Sequence, residues 1–193
     1  MLRLVLRLLL VLALAFSAGF AAQAPAAAVR HSGPNWVWFG PASWNAGYGV
    51  YGITVLGGNG ATLDLGFSST ICAPGATWAD SVRNYFTGQR RALRNRGWTF
   101  EAGRIVRPTG FTGLYRRQVL RGDHNPGVNQ RGVIILDYDF TTNVDGVNYC
   151  YQRSIAKYSH TRQWNRLRFT LQDVQNSLAY SGPGAPEGED PDA

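Results

Sequence analysis

Tyr51-Gly52-Ile53-Thr54-Val55-Leu56-Gly57-Gly58-Asn59-Gly60-Ala61-Thr62-Leu63-Asp64-Leu65-Gly66-Phe67 decides the fold. Tyr51, Ile53 and Val55 alternate with Gly52 and Thr54; Leu63, Leu65 and Phe67 alternate with Thr62, Asp64 and Gly66. A period of two on both sides of a glycine cluster is the pattern of a β-hairpin with one buried face. Parity selects the turn. A two-residue loop at Gly58-Asn59 would set Val55 against Thr62 and mix core with surface. A three-residue loop, Gly58-Asn59-Gly60, pairs Val55 with Leu63, Ile53 with Leu65 and Tyr51 with Phe67. It needs a left-handed residue at its end, which Gly60 supplies.

Downstream, Pro74 and Gly75 lead into a helix from about Trp78 to Arg96, with Thr77 as its cap, Asp80 as the reciprocal acid and Gly97 as its stop. Trp78, Val82, Tyr85, Phe86 and Leu93 form its apolar stripe. Trp98 to Arg107 and Tyr115 to Arg121 read as strands, and the turn-rich Gly122 to Gly132 as a loop.

A second hairpin joins Val133–Phe140 to Val147–Lys157. With Phe140 opposite Val147, Tyr138 meets Tyr149 and Leu136 meets Tyr151, while Asp137 and Cys150 share the polar face. The last segment has two readings. Either Trp164 to Phe169 is a short strand before a Thr170-capped helix, the preferred version, or Trp164, Leu167, Leu171, Val174 and Leu178 lie on one long helix. The order predicts an α+β fold: a mainly antiparallel sheet of about six strands with two helices packed on it. In outline this order resembles the PsbP/Mog1 type of sandwich, although no residue motif carries the likeness.

The ends frame this body. Arg3 and Arg7, the apolar run Leu8–Phe16 and the small residues Ala18–Ala28 read as a secretory signal peptide over residues 1–28. That predicts one domain over 29–181, followed by a disordered acidic tail, 182–193. No apolar segment beyond the signal is long enough to span a membrane, so a secreted or extracytoplasmic (cell-envelope) location follows. Nucleotide cofactors are then implausible partners.

In an oxidising compartment Cys72 and Cys150, the only cysteines, should form a disulfide. No cofactor or metal site is expected, since two cysteines without neighbouring histidines cannot complete a tetrahedral set. The chain carries 19 Lys and Arg against 12 Asp and Glu. Without the two leader arginines and the four acids of the last seven residues, the body has 17 against 8, or +9. Such a body attracts polyanions in a salt-dependent way.

Candidate binding residues are the helix arginines Arg83, Arg90, Arg91 and Arg94, with Arg116, Arg117 and Arg121 beside them. Trp36, Trp38 and Trp44 either stack on a sugar or peptide or pack as a lid on the core. Histidines are few. His31 lies beside the cleavage region with little to hold it, and His124 or His160 is the candidate for hydrolytic acid–base chemistry. Asp137 and Asp139 suit cross-strand ion pairs with arginine better than a metal. No hydrolase elbow or phosphate loop is present. The function predicted is a non-enzymatic envelope or extracellular binding or accessory module for an anionic or carbohydrate ligand, a cell-envelope polymer or an exported protein. A small secreted hydrolase is the alternative.

Overall fold

The computed structural model describes residues 27–110, 114–124, 129–142 and 146–181. The expected leader up to residue 26 and the acidic tail from 182 lie outside the described residues. The strands are β1 (Ala28–Gly33), β2 (Trp36–Pro41), β3 (Asn45–Gly49), β4 (Gly52–Leu56), β5 (Thr62–Ile71), β6 (Trp98–Ala102), β7 (Arg116–His124), β8 (Gln130–Thr142), β9 (Asn148–His160) and β10 (Ala179–Tyr180). Helix α1 is Trp78–Asn95, and α2 is Trp164–Asn176. The architecture is α+β. A seven-stranded antiparallel sheet, ordered β3-β4-β5-β9-β8-β7-β6, is accompanied by a three-stranded one, β1-β2-β10.

Each face of the large sheet has its own cover. On one side Tyr85 and Phe86 of α1 meet Trp98, Leu120, Ile134, Leu136, Tyr138 and Phe140. On the other, Trp36 and Trp38 of the small sheet, with Leu171 and Val174 of α2, meet Ile53, Val55, Leu63, Leu65 and Ile155. The lysine of the chain, Lys157, faces this second core and is 6% exposed, its ammonium donating to Gln172 Oε1 on α2.

The β4–β5 hairpin has the register that parity demands, with Val55 opposite Leu63 and Ile53 opposite Leu65. Its three-residue turn has Asn59 at φ 58° and Gly60 at φ 68°, the left-handed region. Helix α1 starts as its residues require. The Asp80 N–H donates to Thr77 Oγ1 at 3.1 Å, and the Thr77 hydroxyl donates to Asp80 Oδ2 at 2.7 Å. Gly97 leaves the helix at φ 89°.

Several expectations are corrected. The β8–β9 register is displaced by three residues, so that Phe140 opposes Cys150 and Tyr138 opposes Gln152. An odd displacement exchanges the faces of one strand. It carries Cys150 into the apolar core, with its sulfur 2.7 Å from the Tyr138 hydroxyl, and sends Tyr149 and Tyr151 to the opposite side. The disulfide Cys72–Cys150 is present, Cα–Cα 5.3 Å, but it lies within the aromatic core rather than away from it. The cause is a third strand: β5 pairs along all of Thr62–Ile71 with β9, and the Cys72 N–H donates to Asn148 O.

Residues Trp164 to Phe169 are helical, so the single long helix replaces the preferred strand-plus-helix reading. Its i, i+3, i+7 spacing buries Leu171 and Val174 against the sheet. The strand Trp98–Arg107 ends at Ala102, leaving a lone bridge at Val106. Much of the expected Gly122–Gly132 loop is strand. Gly122 and Gly132 pair with each other, and a side chain at Gly122 would meet the Phe100 backbone at 2.6 Å. These glycines permit close strand approach rather than a turn. His31 is not loose: it lies in β1, and its ring stacks on Trp38 at 3.8 Å and 4°.

Candidate functional site

A polar cleft of about 770 Å3 opens where β7 ends, β8 begins and β9 ends. Register puts His124, Gln130 and His160 in one row across these three strands. The next row brings Asp123 opposite Arg131. The helical turn Thr161–Gln163 carries Arg162 over the same end, and the β4–β5 turn contributes Asn59. No short motif encodes this convergence. It arises because consecutive antiparallel strands deliver residues from both ends of a long sequence interval to one sheet end.

The charges are partly committed. Arg131 Nε donates to Asp123 Oδ1 at 2.9 Å, and this exposed pair raises the Arg131 pKa, keeping it cationic. His124 is held on both sides, with Nδ1 3.1 Å from Gln130 Oε1 and Nε2 2.9 Å from the carbonyl oxygen of Arg96 at the end of α1. The exposed His160 ring lies over Gly60. Two strand spacings separate the histidine backbones by about 10 Å. Guanidinium, imidazole, amide and hydroxyl groups, with the Asp123 carboxylate paired to Arg131, thus line a cleft whose size falls in the range of about 300–1,000 Å3 typical of ligand sites.

The other expected residues are dispersed. Trp36, Trp38 and Trp44 are 3%, 0% and 7% exposed. They pack into the core beneath the small sheet, so stacking them on a sugar at the surface is replaced by the lid reading. The helix arginines stay on the surface but are partly engaged. Arg83 pairs with Asp80 at 3.5 Å, Arg90 donates to Gln118 Oε1 at 3.4 Å, Arg94 lies 5.2 Å over the Phe100 ring, and Arg91 is exposed. The β7 arginines do not join them as one group, because strand alternation divides them. Arg116 sits over the Trp78 ring of α1 at 4.5 Å, while Arg117 belongs to the opposite face.

On that opposite face lies a cluster the sequence only hinted at. Asp137, 2% exposed, accepts at Oδ1 from Arg117 Nε (2.7 Å) and at Oδ2 from Arg117 Nη2 (3.1 Å) and Arg153 Nη2 (2.7 Å). Both arginines also donate to Tyr115 Oη at 3.2 Å. Burial by itself would raise the Asp137 pKa, but the hydrogen bonds and charges of Arg117 and Arg153 outweigh it and hold the carboxyl below its ordinary value. The expected cross-strand ion pair is thus real for Asp137, whereas Asp139 accepts the Phe140 N–H at 2.9 Å. Among the described residues no group of three or more His, Cys, Asp or Glu is placed to hold a metal ion, and no helix is long and apolar enough to cross a membrane.

No known family model and no curated protein matches this chain. Among solved structures it is similar to cyanobacterial PsbP (CyanoP) from Synechocystis sp. PCC 6803, with 13% identity over 84% of this chain and 98% of that one and a TM-score of 0.44. It is also similar to LpqN, involved in cell envelope biogenesis of Mycobacterium tuberculosis, with 12% identity over 80% and 89% and a TM-score of 0.44. At such identity a shared outline says nothing of ligand or partner.

Proposed function

We propose that this chain works outside the cytoplasm as a non-enzymatic binding module, and that its ligand is an anionic, hydroxyl-bearing cell-envelope polymer seated in the sheet-end cleft. The observation that carries this is the convergence of Arg131, Arg162, His124 and His160 with amide and hydroxyl groups in one cleft. The +9 body charge adds long-range attraction. The leader-like N-terminus and the buried disulfide support an oxidising destination.

Heparin retention tests it. Retention of the intact protein should fall steeply with salt, and the Arg131→Ala/Arg162→Ala variant should elute earlier than Arg83→Ala/Arg91→Ala. Absent or salt-insensitive retention, or equal shifts in the two variants, overturns the cleft as the site.

A hydrolase remains the second reading because both histidines line the same cleft. Against it, His124 is anchored at both ring nitrogens. A broad activity screen on purified protein separates the two: hydrolysis abolished by His124→Ala or His160→Ala would displace the binding reading.

A further inference from the structure

Strand β5 is ten residues long, yet its two neighbours differ in reach. On one side β9 pairs with all of Thr62–Ile71, while on the other β4 pairs only with Thr62–Gly66. The Phe67 N–H still reaches Tyr51 O at 2.9 Å. Beyond it the β4 side is open: Ser68, Ser69, Thr70 and Ile71 are all exposed. Parity identifies the unused groups. Phe67 bonds away from β9 and Cys72 toward it, so odd residues direct N–H and C=O outward. Ser69 and Ile71 therefore present two donors and two acceptors with no partner among the described residues.

Edge strands are commonly blunted by lysine, proline or a bulge. This one reads Ser-Ser-Thr-Ile, uncharged and compatible with a further strand. Beside it lies an apolar-walled cavity of about 240 Å3, lined by Phe67, Ser69, Tyr115, Asp139, Tyr151 and Arg153. That is smaller than the sites that enclose whole ligands, about 300–1,000 Å3, and suits one side chain. Ile71, 67% exposed, continues the same face two residues on. Tyr151 reaches this face only because of the displaced β8–β9 register.

We propose that the Ser68–Ile71 edge receives an extended segment of a partner protein as an added strand, with one apolar side chain in the Phe67–Tyr151 cavity and a second, two residues along, against Ile71. Main-chain bonds to Ser69 and Ile71 supply affinity, and the cavity supplies selectivity. Charge decides between occupants. The body carries +9, so a second copy brings like charge to the edge whereas an acidic segment is attracted. This surface is independent of the sheet-end cleft.

The test is a displayed library of random decapeptides, selected in parallel on the full chain and on Ser69→Pro. The Ser69 N–H has no described partner, so this proline costs no ladder bond, and an unchanged melting temperature verifies the fold. Peptides with apolar residues at i and i+2 and acidic flanks should be enriched on the wild type and bind Ser69→Pro roughly tenfold or more weakly, about 1.4 kcal/mol. Tyr151→Ala should erase selection at one apolar position only, and in the Arg131→Ala/Arg162→Ala background Ser69→Pro should weaken the same peptides by the same factor. Equal enrichment on Ser69→Pro, or none on the wild type, overturns the proposal. So does a concentration-dependent dimer that Ser69→Pro abolishes, since the edge would then belong to a second copy.

Discussion

Asp137 and Lys157 are both buried, and their titrations should affect stability in different ways. Removing the carboxylate leaves Arg117 and Arg153 facing each other, so Asp137→Ala should cost about 3 kcal/mol in urea unfolding at pH 7. Because the folded Asp137 pKa lies below 3.8, its stabilisation is complete above that value and is lost as pH falls through the folded pKa. The stability gap between the wild type and Asp137→Asn should therefore close on acidification below pH 3.8. Lys157 behaves oppositely. Desolvation lowers its pKa from 10.5, so between the folded value and 10.5 the unfolded chain binds more protons and stability rises with pH. Lys157→Met should lack that rise when unfolding is followed on the alkaline side up to pH 10.5.

Elements form here for local reasons that single substitutions expose. Thr77→Ala removes the α1 cap and should cost about 1 kcal/mol of stability. In the β4–β5 turn the glycines are unequal. Gly60 has φ +68° and lies under the His160 ring, whereas a Cβ at Gly58 meets nothing within 4 Å. Gly60→Ala should thus destabilise by about 1–3 kcal/mol while Gly58→Ala leaves the melting temperature nearly unchanged, a comparison that thermal unfolding reads directly. Both elements were legible from their residues alone, because a cap and a tight turn are settled within a few positions. The β8–β9 register was not. Its turn is long, and the deciding contact is Cys72, just after β5 and 78 residues away in sequence from Cys150.

For the molecule as a whole, that cross-link joins the edge-proximal end of β5 to the start of β9 beneath α1. Closing a loop of 78 residues lowers the unfolded-chain entropy by about 4.5 kcal/mol equivalent. Reduction, or Cys72→Ala/Cys150→Ala, should lower the unfolding free energy by about that amount in denaturant titrations. The candidate site was less legible than the fold. His124 and His160 were visible as titratable groups, but their shared cleft depends on which strands are neighbours. The tryptophans allowed both a ligand-stacking and a lid reading, because an N-terminal segment does not reveal what it lies against. The sequence by itself determined the α+β class, the α1 helix, the β4–β5 register and the one possible disulfide pairing, since period, capping and cysteine count act locally or admit a single solution. Only the tertiary structure decided the faces of β9, the burial of the tryptophans, the Arg117–Asp137–Arg153 cluster, the sheet-end cleft and the open edge of β5. Each of those depends on strand order and relative strand length, which are set by packing between distant segments.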